Sequence, residues 1–130
     1  MPYNYDDQNV FAKILRGELP CKKIYESEHS LAFEDIAPIV PNHYLVIPKG
    51  QYVCFDDFSQ HASTEEIVDY IRAIGKVVEM LGLAPGDAGE GYRILSNAGN
   101  HGVQMVPHLH IHLFGGKPLG RMLSDMKREQ

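Results

Sequence analysis

Tryptophan is absent from the 130 residues, and cysteine occurs only twice, as Cys21 and Cys54. Two cysteines so far apart form no C-x-x-C pair, so a thiolate metal site or redox couple is unsupported. Two free thiols in a reducing compartment are the expected state. No apolar run reaches the roughly 18 residues that a membrane span requires. The opening stretch, MPYNYDDQNV, lacks the charged-then-apolar layout of a secretory leader. The expected location is the cytoplasm, with no membrane partner. Basic runs are also missing: Lys22-Lys23 and Lys127-Arg128 are the only adjacent pairs, and 17 acidic residues against 12 basic ones leave a net charge of -5. A nucleic-acid surface needs a basic stripe to neutralise phosphates, so no nucleic-acid partner is expected. A small phosphorylated ligand stays open, because a few backbone N–H groups are enough to hold one. Internal repeats and low-complexity segments are lacking as well.

What is there reads as one domain over residues 1–130, with 117–130 as a tail or dimer arm. The chain is long enough to bury a core without disulfides, and 44% of its residues are hydrophobic. Asp6 or Asp7 is a candidate cap for a short helix carrying Val10, Phe11, Ile14 and Leu15, with Gly17 as its stop. Residues 23–26 and 29–34 read as paired strands around a turn at Glu28-His29. His43 to Ile47 is a β-prone run ended by Pro48. Residues 49–62 have no clear periodicity. Ser63-Thr64-Glu65-Glu66 fits a capping box. The following helix places Ile67, Ile71, Ile74, Val78 and Leu81 on one stripe, with Gly82 as its stop. Strands are expected at 92–96 and 108–114, separated by the Gly/Asn-rich loop 97–102. The sum is an α+β fold, about five antiparallel strands and two helices.

The chemistry concentrates at 108–114, HLHIHLF. Strand alternation places His108, His110 and His112 on one face, with neighbours ~7 Å apart along the chain, and sends Leu109, Ile111 and Leu113 to the other. Three aligned imidazoles suit a metal site, a nucleophile with supporting neighbours, or merely a polar strand face. No clustered carboxylate or thiol stands beside the triplet in the sequence to support a metal.

His108-Leu109-His110-Ile111-His112-Leu113-Phe114 resembles the His-φ-His-φ-His-φ-φ motif of the histidine-triad (HIT) superfamily. Residues 10–20, Ala32 to Pro38, Pro41 to Lys49 and Gly115-Gly116 are similar to its nucleotide-binding branch. The resemblance implies a nucleotide hydrolase, and no cofactor or metal is expected. It implies His110 as the nucleophile on an α-phosphate, His112 as the contact to phosphate oxygens, and His108 and His43 as supporting members of the cluster. It also implies Asp35 on the ribose hydroxyls, Phe33 and Ile36 as base-pocket walls, and Asn97 on a phosphate or bridging oxygen. A phosphate loop spans Gly99 to Val106 and includes Gln104 and Met105. The implied substrate is an AMP or GMP conjugate such as a phosphoramidate, and the implied assembly is a homodimer. Two departures stand out: Val103 replaces a frequent glycine, and Met105 replaces a frequent Ser or Thr hydroxyl. The second keeps open a nucleotide sensor or interaction dimer with little turnover.

Overall fold

The computed structural model describes residues 3–123. The chain runs α1 (Val10–Leu15), β1 (Lys23–Glu26), β2 (Ser30–Glu34), β3 (Asn42–Pro48), α2 (Phe55–His61), α3 (Thr64–Met80), a 3-10 turn (Pro85–Asp87), β4 (Tyr92–Leu95) and β5 (Ile111–Gly115). Every sheet pairing is antiparallel, in the order β1-β2-β3-β5-β4. The α+β class and the five-stranded sheet agree with the sequence reading. The helix count does not, because the irregular stretch 49–62 contains α2. Its sequence, FDDFSQH, shows no apolar stripe, yet the buried Asp57 carboxylate accepts the Val53 N–H at 2.9 Å and holds the chain where the helix begins.

Helix α1 is capped by Asn9, whose side chain accepts the Ala12 N–H at 2.9 Å, and not by Asp6 or Asp7. Asp6 instead anchors the turn before it, through the Gln8 N–H. Gly17 ends the helix in the left-handed region, at φ 79°, which glycine adopts without a Cβ penalty. Helix α3 begins with the expected capping box between Ser63 and Glu66. Its buried face is Tyr70, Ala73, Ile74, Val77 and Val78. Ile71, expected in the stripe, is exposed. The apolar arc of α3 is wider than the core it covers, so alternate choices of stripe fit the same sequence.

The sheet divides the interior. On one side α3 packs on β1, β2 and β3, enclosing Ala32, Val46, Leu109, Ile111 and Leu113. Burial of these side chains stabilises the fold by ~1.5–3 kcal/mol for each large aliphatic residue. Asp69 on α3 ties the β1–β2 turn down, accepting from the Ser27 and Ser30 hydroxyls and the His29 N–H. On the other side α1 covers Leu31, Phe33, Leu45 and Ile47 with Phe11. Beyond α1 this face opens into a cleft. No helix among the described residues is long and apolar enough to cross a membrane. The first part of the expected tail is held by Arg93, which donates to the Gly120 carbonyl at 2.6 Å. Residues 124–130 lie outside the described residues.

Candidate active site

Register across the sheet sets the floor of the cleft. Phe33 pairs with Leu45, and Leu45 with His112, so these three side chains form a row on the α1 side of the sheet. His43, two residues before Leu45, lies on the same face. The cleft encloses about 730 Å³ and is lined by Val10, Phe11, Ile14, Phe33, Asp35, Ile36, Leu45, Asn97, Met105, Val106, His110 and His112, with Leu19 to Lys22 and Glu34 at its edge. Its walls are mostly apolar and its polar groups converge at the histidine end, the usual make-up of a small-molecule site.

The three histidines of the motif do not share one strand. β5 begins at Ile111, so only His112 belongs to it. The preceding residues remain alternating: Leu109 is in the α3-side core, while His108 and His110 point away from that core. The Leu109 N–H donates to the Tyr52 carbonyl at 2.8 Å. That contact to the loop before α2 takes the chain off the sheet ladder. His108 therefore sits deeper than its partners, fully buried, while the His110 and His112 ring centroids lie 5.0 Å apart.

Hydrogen bonds assign a tautomer to each ring, because a carbonyl only accepts and a backbone N–H only donates. His110 Nδ1–H donates to the His108 carbonyl at 2.7 Å, leaving Nε2 with its lone pair. His108 Nε2–H donates to the Pro48 carbonyl at 2.8 Å, so its Nδ1 accepts from the Tyr5 hydroxyl at 2.5 Å. His43 Nδ1 accepts the Ile39 N–H at 3.3 Å. His43 Nε2–H then donates to His112 Nδ1 at 3.0 Å, with Asp35 Oδ2 3.3 Å from the same nitrogen. His112 is left with an N–H at Nε2. One ring thus offers a lone pair, and its neighbour offers a donor.

Burial favours the neutral form of all four rings. It pulls His110 and His43 below the ordinary imidazole range, against the smaller opposing pull of Asp35 and, for His110, the His108 carbonyl. Burial brings His108 and His112 down to about 4, helped for His112 by the neighbouring His110 and His43 rings. A neutral, oriented imidazole is a competent nucleophile near pH 7. The Phe11 ring stands edge-on to His110, centroids 4.9 Å apart, and limits the ring's freedom to turn.

The remaining sequence-derived residues separate into two groups. Phe33, Asp35, Asn97 and Met105 line the cleft together with His110 and His112. Asp35 also accepts the Ala37 N–H at 2.9 Å, so it forms the turn toward Pro38 as well. Ile36 lines the rim but is fully exposed, not a buried wall. Gln104 is not on the cleft lining. Its amide donates to the Val53 carbonyl at 2.6 Å and to the Val106 carbonyl at 2.9 Å, bracing the loop from within. The loop's own amides are partly used: Val103 N–H bonds to Asn100 and Gln104 N–H to Gly99. Among the described residues the Met105 and Val106 N–H groups have no protein acceptor, and both residues line the cleft.

Sequence reasoning missed Ser96, whose hydroxyl donates to the His110 carbonyl at 2.9 Å. It also missed Tyr5 and the contribution of α1 to the cleft wall. Tyr5 and Ser96 carry no local pattern, and the apolar face of α1 does not say which part of the sheet it covers. The sequence further shows no carboxylate beside the triplet, yet the fold brings Asp35 into one cluster with His43 and His112, their ligand-type atoms within 4.8 Å of one another. As a metal site the cluster is hampered by the Ile39 N–H on His43 Nδ1, which leaves the proton on Nε2, the nitrogen facing the cluster.

Val103 occupies the left-handed region at φ 57° and is exposed. A β-branched side chain is strained there by roughly 1–2 kcal/mol. Val103→Gly is expected to raise stability by about 1 kcal/mol, the relieved strain less the extra chain entropy of glycine. Urea unfolding of the variant checks this, and an unchanged or lowered midpoint would refute it.

Fold and site together define a protein that presents one lone-pair imidazole and one imidazole donor to a nucleotide-sized cleft. Comparison with known proteins is consistent with this. The family model of the HIT domain matches residues 16–119. An uncharacterized HIT-like protein of Azospirillum brasilense is 56% identical over 124 residues, covering 95% of this chain and 98% of that protein. The purine nucleoside phosphoramidase of Escherichia coli K12 is 38% identical over 119 residues, covering 91% and 95%. Among solved structures, a HIT family hydrolase from Clostridium thermocellum superposes with TM-score 0.76 at 36% identity, covering 91% of this chain and 98% of that one. The chain belongs to the HIT family.

Proposed function

We propose that the protein hydrolyses nucleoside phosphoramidates or related nucleotide conjugates at the α-phosphorus, through a covalent nucleotidyl-His110 intermediate. The observation that carries this reading is the 2.7 Å bond from His110 Nδ1–H to the His108 carbonyl. It commits the proton to Nδ1 and leaves Nε2 of a cleft-lining residue as the attacking atom. Nε2 forms a bond to phosphorus as the P–N bond breaks, and the leaving amine takes a proton from solvent at the open rim of the cleft, which the water of the second step returns. Water then attacks phosphorus, the Nε2–P bond breaks, and the nucleoside monophosphate is released. His112 Nε2–H, with the Met105 and Val106 amides, supplies donors to the phosphate oxygens, where charge develops. Asp35 accepts from ribose hydroxyls, and Phe33, Val10 and Ile14 wall the base. The 38% identity to a purine nucleoside phosphoramidase supports an AMP or GMP conjugate as substrate.

Incubation with a fluorogenic adenosine phosphoramidate tests the reading. Steady release of fluorophore, with AMP as the second product, is the expected result. AMP binding without turnover would overturn it in favour of a nucleotide sensor. The exposed Met105, which offers no side-chain proton to a leaving group, is the feature that favours that second outcome.

The chain is also proposed to form a homodimer across α3 and β4. β4 is an edge strand, and α3 leaves its face uncovered. Ile94 pairs with Leu113, which lies under α3, so Ile94 extends the same apolar face. Ile94, Tyr92, Val68 and Ile71 are all exposed. An apolar patch of this kind marks an interaction surface. Sedimentation equilibrium is expected to return twice the chain mass of 14.6 kDa, and the monomer mass would refute the proposal.

A further inference from the structure

We infer that Tyr5 is a positioning residue for the catalytic histidine, acting through the ring and backbone of His108. The inference rests on the hydrolase reading of the same site. Tyr5 lies on the segment before α1, 103 positions from His108, and its hydroxyl is 2.5 Å from His108 Nδ1. The Pro48 carbonyl takes the proton on His108 Nε2, so Nδ1 has only a lone pair to offer and Tyr5 must donate. The two rings also meet edge-on, centroids 5.6 Å apart. His108 is fully buried, and a buried imidazole whose Nδ1 lacks a donor carries an unsatisfied acceptor and is held at one end only, free to tilt. Tyr5 and Pro48 hold it from both ends.

The consequence reaches His110 through one atom. The His108 carbonyl oxygen is the acceptor for His110 Nδ1–H, and its direction follows the backbone that carries the clamped ring. Loss of the Tyr5 hydroxyl leaves the His108 ring held from the Pro48 end alone. The Leu109 N–H of the same peptide stays on the Tyr52 carbonyl, so the ring tilts and the His108 carbonyl shifts by a small amount, which lengthens the bond that keeps the His110 lone pair on Nε2. Small errors in the attack geometry are costly even when they arise away from the reacting atoms. The Michaelis contacts, made by Asp35, Phe33 and the phosphate loop, are untouched.

The test compares Tyr5→Phe with Tyr3→Phe in the full chain. Tyr3 anchors the same segment, its hydroxyl donating to Asp56 at 2.6 Å, but it does not touch His108. In Tyr5→Phe, kcat for the adenosine phosphoramidate is expected to fall ~10-fold with KM within about twofold. In Tyr3→Phe both stay at the wild-type values. Nitrogen NMR of histidine-labelled protein is read in parallel. His108 Nδ1 of Tyr5→Phe should move toward the position of a free, unprotonated ring nitrogen, and Tyr3→Phe should leave it in place. An unmoved His108 Nδ1 in Tyr5→Phe, or equal loss of kcat in both variants, would overturn the inference. Absence of turnover in the wild type would instead overturn the hydrolase reading, and the NMR comparison would still decide whether Tyr5 holds His108.

Discussion

His110→Ala is expected to lower turnover of the adenosine phosphoramidate by at least ~10⁴-fold, the order seen when a covalent nucleophile is removed. AMP should still bind within a few-fold of wild type. The imidazole makes its one hydrogen bond to the His108 carbonyl, not to a group placed for the nucleotide. The cleft walls and Asp35 remain when it is lost. His112 cannot replace it. Its Nδ1 accepts from His43 at 3.0 Å, so the atom it presents to the cleft carries a proton. Rapid-quench mass spectrometry supplies the direct check: one nucleotidyl group should appear on wild-type protein and none on the variant. A nucleotidyl adduct on His110→Ala, or turnover within tenfold of wild type, would remove His110 from the mechanism.

The second large effect concerns stability and acid. Burial holds His108 at about 4 in the folded protein, against 6.5 when exposed. The unfolded chain therefore takes up the proton first as pH falls. Stability from the neutral ring is fully present above about pH 6.5 and is lost progressively as pH falls toward 4. Over that window one group so displaced is worth ~3 kcal/mol. The ring is fully buried, so solvent screening reduces this little. His110, His43 and His112 are displaced in the same direction and add to the slope.

His108→Phe separates this contribution from theirs. At pH 7.5 the variant is expected to lose ~1–3 kcal/mol, because the Pro48 carbonyl and the Tyr5 hydroxyl lose their buried partner. Between pH 6 and 4.5 the slope of stability against pH should fall by about one proton, or ~1.4 kcal/mol per pH unit. Urea melts across that range measure both quantities. A variant with the wild-type slope would show that His108 carries no part of the acid sensitivity.

Much of the fold follows from local pattern. Ser63 and Glu66 mark the start of α3 three residues apart, and Gly17 and Gly82 mark helix ends because both take positive φ. The strands at 23–26 and 43–47 were legible from β-prone residues between turn formers. What was not legible depended on partners distant in the chain. Helix α2 has no stripe to read, since its start is held by a buried Asp57. Ile71 fits the apolar period of α3 as well as Tyr70 does, and only the position of the sheet decides between them. β5 is shorter than its alternating pattern because Tyr52, far away in sequence, takes the Leu109 amide.

The sequence alone determined that His108, His110 and His112 point away from Leu109, Ile111 and Leu113, since alternation in an extended chain is a property of the covalent backbone. Tertiary structure decided what each ring can do. The carbonyl of Pro48, the amide of Ile39, the carboxylate of Asp35 and the hydroxyl of Tyr5 come from three separate segments, Ile39 and Asp35 sharing the loop between β2 and β3. Packed together they give His112 its proton and His108 a fixed place, and the carbonyl of His108 so placed gives His110 its lone pair. An imidazole has two equivalent choices for its proton, and the groups that remove that freedom come from the fold.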